Sequence, residues 1–152
     1  MTPYRHTQYS VLNLVLLGLP VVLCGYLFLT IQSPPASWIC LGCALLFVLL
    51  AFLFHSLTIE VDSEVVRLHF GTGIIRKSWR IADCTSACHV RTALWEGWGI
   101  RLTSRGWLYN VAIPDAIMIR LGNGTAIQLG TDEPRTLLEA LERAGVPTAS
   151  TN

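Results

Sequence analysis

Five cysteines and four histidines are the side chains of this 152-residue chain best able to hold a metal or move electrons. Their spacing argues against both. Cys24, Cys40 and Cys43 fall inside long apolar runs, where a thiol behaves as a small hydrophobe. Cys40-x-x-Cys43 has the spacing of a redox pair, but no βαβ pattern surrounds it. Cys84, Cys88 and His89 make the one cluster outside those runs, and a structural zinc site needs a fourth ligand, which His69 supplies only if the fold brings it in. The expectation is reduced, buried thiols with no metal and no cofactor. His55, His69 and His89 would join Asp83 or Asp115 in a reactive site only through tertiary structure. Gly-x-Ser-x-Gly, His-Glu-x-x-His and phosphate-loop signatures are missing from the sequence. Gly71-Thr72-Gly73-Ile74-Ile75-Arg76 begins like a dinucleotide loop, yet it lacks the third glycine and joins two strand-like runs, as a hairpin turn does. A protein without catalytic activity is expected.

The elements that carry these residues divide sharply. From His6 to Ile59 there is no Asp, Glu, Lys or Arg, and two apolar runs, 11–31 and 38–57, flank a loop at 32–37. Each run is about the length that crosses the ~30 Å hydrocarbon core of a bilayer. Fourteen Val, Leu, Ile and Phe residues in the first run favour insertion by roughly 4–8 kcal/mol, which Asn13, Pro20 and two glycines do not offset. The first run is too long for the core of a signal peptide, and a second span follows it. A transmembrane helical hairpin over 11–57 is therefore expected. Trp38 and His55 sit at its rims, and His55 reads as an interfacial residue.

Orientation follows from the cationic residues. Arg5 precedes the hairpin, none occupies the loop, and ten follow Glu60, so both termini should be cytoplasmic in a multi-pass protein of the plasma (inner) membrane. Residues 1–10 then form a short cytoplasmic N-terminal segment, and Pro34-Pro35 suits the reversal. If the reversal centres between those prolines, Gly25 lies level with Ala44 and Gly18 with Ala51. The four could then form a seam of small residues between the helices.

Residues 58–147 have the size of one domain and the texture of half-buried strands. Leu57, Ile59 and Val61, then Val66, Leu68 and Phe70, alternate with polar residues. Over 74–81, Ile75, Trp79 and Ile81 form the expected inner face, with Arg76, Ser78 and Arg80 outward. Further strand-like runs at 88–94, 99–103, 107–111, 116–121 and 125–129 are mostly separated by glycine-containing turns, the clearest being Gly122-Asn123-Gly124. A mainly antiparallel β barrel or sandwich is the economical way to cover one apolar face and the strand edges. Leu137, Leu138, Leu141 and Ala144 then recur at helical spacing, with Thr131 or Asp132 as cap, Pro134 in the first turn and Glu139 placed to pair with Arg143. This C-terminal α-helix should close one mouth of the barrel. Residues 148–152 read as a disordered tail.

Phe70-Gly71-Thr72-Gly73, Gly97-Trp98-Gly99-Ile100-Arg101, Gly122-Asn123-Gly124 and Gly130-Thr131-Asp132-Glu133-Pro134 together resemble small bacterial membrane proteins that carry a pleckstrin-homology-like domain, over residues 57–145. The resemblance implies a membrane-anchored interaction or scaffold module, with the lipid bilayer and a protein partner or homo-oligomer as partners. It also implies an alternative, in which Arg76, Lys77 and Arg80 bind an anionic lipid headgroup; a cation near such a surface gains about 1 kcal/mol. A net charge of +1 supplies no basic stripe for nucleic acid. Trp95, Trp98, Trp107 and Tyr109 are candidates for a peptide groove, a membrane contact or the core.

Overall fold

The computed structural model describes residues 4–92, 99–111 and 114–149. It begins with a strand that hydrophobic periodicity does not reveal. β1 (Tyr4–Tyr9) pairs antiparallel with β2 (Ser56–Val61), from Tyr4 opposite Val61 to Tyr9 opposite Ser56. Tyr4, His6 and Gln8 point to the core side and Arg5, Thr7 and Tyr9 away from it, so neither face of β1 carries an apolar pattern. Within the segment 1–10, read from sequence as a short cytoplasmic N-terminal segment, residues 4–9 thus form a strand of the β domain.

Two long helices occupy the place of a hairpin turn between β1 and β2. α1 (Val11–Thr30) and α2 (Pro34–Phe54) are long and apolar enough to cross a membrane, and almost none of their residues is buried by protein. Only Ser10 separates β1 from α1, and only His55 separates α2 from β2. The reversal is tighter than the expected 32–37 loop, because α2 starts at Pro34: a proline in the first turn lacks only an N–H that has no helical acceptor. At the other end, Leu57 belongs to β2 and is fully buried, so the second apolar run merges two elements.

Both junctions are locked by hydrogen bonds. The Ser10 hydroxyl caps α1 by accepting from the Asn13 amide at 3.0 Å, and the Asn13 side chain donates to the Phe54 carbonyl at 3.0 Å. Asn13, which costs α1 some apolarity, therefore satisfies a carbonyl at the end of α2 that has no helical donor. Phe54 meets Phe70 edge-on at 5.4 Å, which joins the helices to the core.

The rest of the domain forms two sheets. β3 (Val65–Phe70) and β4 (Ile75–Arg80) complete the order β1-β2-β3-β4. A short 3-10 helix, Ile81–Asp83, leads to the second sheet, made of β5 (Cys84–Arg91), β6 (Gly99–Thr103), β7 (Gly106–Asn110), β8 (Asp115–Leu121), β9 (Ala126–Gly130) and β10 (Thr148–Ala149). Its order is β10-β5-β8-β9-β7-β6, with β7–β9 and β10–β5 parallel and the other pairs antiparallel. The sheets pack face to face rather than closing into the barrel that was one expectation. Leu57, Ile59, Val66, Leu68 and Phe70 on one side and Ile117, Ile119, Ile127 and Leu129 on the other belong to one core. α3 (Pro134–Arg143) lies against β5, β8 and β10, burying Leu137, Ala140 and Leu141 in that core instead of plugging a mouth. Arg143 donates to the Glu139 backbone carbonyl at 3.2 Å, where a carboxylate pairing was expected. Residues 148 and 149, expected to be tail, form β10.

Gln8 stitches the two sheets together. Its side chain is 2% exposed; Nε2 donates to the Gly130 carbonyl at 2.5 Å, and Oε1 accepts from the Asp132 amide at 3.0 Å. His6, one pair of residues away, places Nε2 2.7 Å from Asp132 Oδ1. Each buried polar group left unpaired costs ~1–3 kcal/mol. Gln8→Leu, which keeps the size but removes both bonds, should lower stability by about 2–4 kcal/mol, read as an earlier thermal transition in detergent. Tyr4, on the same face, has its hydroxyl pushed from 10.0 to about 12, first by burial and then by the Glu133 and Asp132 carboxylates. The folded state therefore holds that proton more tightly, and its contribution, complete below pH 10, is lost as pH rises toward 12. Tyr4→Phe should flatten the loss of thermal stability across that interval; an unchanged alkaline profile contradicts the assignment.

Candidate functional site

The strand register builds one polar surface from residues scattered over four strands. On the face of the first sheet turned away from the core, Thr7, Thr58, His69 and Arg76 form one cross-strand row. Arg5, Glu60, Arg67 and Ser78 form the next, about 7 Å farther from the helices. The rows are tied locally: Thr7 and Thr58 hydroxyls lie 2.8 Å apart, and Arg5 Nε lies 3.2 Å from Glu60 Oε1. Glu60 thus has its partner on β1, although Arg67 stands directly opposite it on β3.

Between these rows and the β3–β4 turn lies a groove of about 610 Å³ lined by Glu60, Arg67, Leu68, His69, Thr72, Gly73, Arg76, Lys77 and Ser78. Arg76 Nε donates to the Gly73 carbonyl, which holds the guanidinium against the turn. Gly73 adopts φ 84°, a conformation that glycine reaches without strain. Arg67, Arg76 and Lys77 bring three permanent cations to a groove with a single carboxylate. Such a surface attracts anions, and guanidinium forks suit phosphate oxygens in particular.

The basic trio expected from sequence is split. Arg76 and Lys77 border the groove, whereas Arg80 lines a separate recess of about 450 Å³ and pairs with Asp83 at 3.0 Å. Lys77 arises from the core-facing side of the edge strand: it stands opposite Leu68 and shares that face with Ile75 and Trp79. The expected alternation along 74–81 is otherwise present, with Ile75 and Trp79 packed on the core. Two groove residues lie outside that trio, Arg67 and also His69, which the sequence offers only as a metal or reactive-site candidate, because both belong to β3 whereas the trio lies along β4. The Gly71–Ile74 turn carries the missing signal, since its register sets His69 opposite Arg76 and Arg67 opposite Ser78.

The other candidates are dispersed. Cys84 is buried at the start of β5, where burial, and then Asp83, push its thiol upward. Cys88 and His89 are consecutive in a strand and so point to opposite faces; His89 Nε2 lies 2.9 Å from Asp115 Oδ1. His69 is on the other sheet. Among the described residues no three His, Cys, Asp or Glu side chains are grouped as metal ligands would be. His55 lies at the helix–sheet junction with Nδ1 2.9 Å from the Phe52 carbonyl. Gly18, Gly25, Ala44 and Ala51 are all half-buried, but a Cβ added to either glycine meets no heavy atom within 4 Å, so α2 does not press on those positions. Tyr109 is buried in the core, edge-on to Trp79 at 5.5 Å, and Trp107 is partly exposed on the same strand. Trp95 and Trp98 lie outside the described residues.

Compared with known proteins, the chain matches no family model and no curated protein. Removing two unpaired cations near an anionic surface costs about 2 kcal/mol, roughly thirtyfold in affinity. Full-length protein carrying Arg67→Gln and Lys77→Gln should accordingly retain far less phosphatidylglycerol than wild type when purified from mixed detergent–lipid micelles. Arg80→Gln, whose charge is already engaged by Asp83, should retain nearly as much as wild type.

Proposed function

We propose that this protein is a membrane-anchored interaction module without catalytic activity, in which a two-span hairpin holds a pleckstrin-homology-like sheet domain at the cytoplasmic face of the inner membrane. One observation carries the reading: α1 and α2 replace the turn of a β hairpin, with one residue at each junction. A domain held by two such links cannot swivel on a tether, so it presents its grooves and edges to partners in a constant orientation. The outward large apolar side chains of both helices support immersion in lipid, because water would leave an apolar surface of that extent uncovered. The ten cationic residues after Glu60 support a cytoplasmic domain. The pairing of β1 with β2 puts both ends of the helix pair on one side.

The partner is a protein or a second copy, and β6, the last strand of its sheet among the described residues, offers it an edge with Leu102 exposed, suited to strand addition. The groove of Arg67, His69, Arg76 and Lys77 favours a second role, recognition of an anionic headgroup, because its turn lies beside the end of α2. Restriction to the membrane plane would raise the effective concentration of either partner.

Alkaline carbonate should leave the full-length protein in the membrane pellet. Protease should spare the sheet domain in intact spheroplasts and digest it in inverted vesicles. Release into the soluble fraction, or digestion from outside, overturns the reading.

A further inference from the structure

The β3–β4 turn is pressed against the end of α2. Gly71 has φ 51°, and a Cβ there would stand 2.7 Å from the Leu53 carbonyl oxygen and 2.8 Å from that of Phe52, a gap that only glycine fits. The Gly71 amide also donates to the Ser56 carbonyl at 2.9 Å, and the Gly73 amide to that of Phe70 at 2.8 Å, so the turn is held firmly at this level. Its last residue is Ile74, which is 70% exposed. A turn facing water ordinarily carries Gly, Asn, Asp or Ser at such a site, and β-branched apolar residues are poor choices there. At the same end of the sheet, Tyr9, 66% exposed, and Phe52 on the last turn of α2 flank His55, their ring centroids 6.2 Å and 6.3 Å from its own. Aromatic side chains in this arrangement are those found where a span leaves the hydrocarbon.

From these contacts we infer that the β3–β4 turn is a third membrane contact, with Ile74 inserted into the interface of the leaflet from which the hairpin emerges. The inference rests on the reading of α1 and α2 as membrane spans. The turn abuts the end of α2 at Gly71, which selects lipid over a protein partner as its occupant. Charge agrees with this choice, because Arg76 follows two residues later and would then meet the headgroup phosphates. Insertion of Ile74 would fix the tilt of the first sheet and turn the open side of the Arg67–Arg76 groove toward the headgroups.

Photo-crosslinking in proteoliposomes tests this with the full chain. p-Benzoylphenylalanine is placed by Ile74→p-benzoylphenylalanine, and in separate proteins at Leu46, midway along α2, and at Ser63, in the β2–β3 turn at the far end of the sheet. The vesicles contain radiolabelled phosphatidylcholine and phosphatidylglycerol. Lipid adducts at position 74 should approach those at 46 and exceed those at 63 at least fivefold. Adducts at 74 no more abundant than at 63, with strong labelling at 46, overturn the inference and leave the anchor intact. Loss of labelling at 46 instead removes the membrane reading on which the inference stands. Ile74 is mostly free of the domain, so its substitution does not disturb the core.

Discussion

Antiparallel pairing of β1 with β2 is the constraint on which the remaining structure depends. Six residues before the helices and six after them form a continuous ladder, ending with Tyr9 opposite Ser56 beside the helix ends. That ladder brings the start of α1 and the end of α2 together, and Asn13 and Ser10 complete the junction through the Phe54 and His55 carbonyls. It also gives β2 a neighbour on its second edge, without which a strand with five of its six residues buried would leave its backbone groups unpaired. The β domain and the helical pair are thereby tied together, since neither end of the hairpin is free while β1 is in place.

The same strand transmits order to the second sheet. Gln8 and His6 engage Gly130 and Asp132, at the point where β9 passes into α3. Residues far apart in the chain therefore meet, and the helices are linked through β1 to the second sheet. Core packing supplies cohesion between the sheets, but it is not directional. The polar bridges from β1 determine register, because a slip by one residue would turn Gln8 to the outer face and leave two backbone groups unpaired.

Polar chemistry on the outer surface is likewise a product of register. Arg67 and His69 enter a groove with Arg76 because a four-residue turn sets β3 against β4, while Arg80, adjacent in sequence to the same cluster, is drawn off by Asp83. Local composition alone counts cations. The hairpin sorts them into those that share a space and those that do not, and the sorting changes which side chains face an anion.

Much of the architecture is written in local sequence. Charge-free apolar length marks α1 and α2, period-two alternation marks β2 and β3, Gly122-Asn123-Gly124 marks the β8–β9 turn, and helical spacing of Leu137 and Leu141 marks α3, because each signal comes from residues a few positions apart. The β1 strand escapes such reading: its core-facing residues are Tyr4, His6 and Gln8, whose burial depends on partners more than 120 positions away. Parallel pairing of β7 with β9, two open sheets in place of a barrel, and the division of Arg76 and Lys77 from Arg80 are equally nonlocal. The sequence by itself determined which segments are apolar, extended or helical, since those properties arise from neighbouring side chains. Tertiary structure alone decided which strands pair and which charges converge, since hydrogen bonds and ion pairs between distant residues form only when the whole chain is folded.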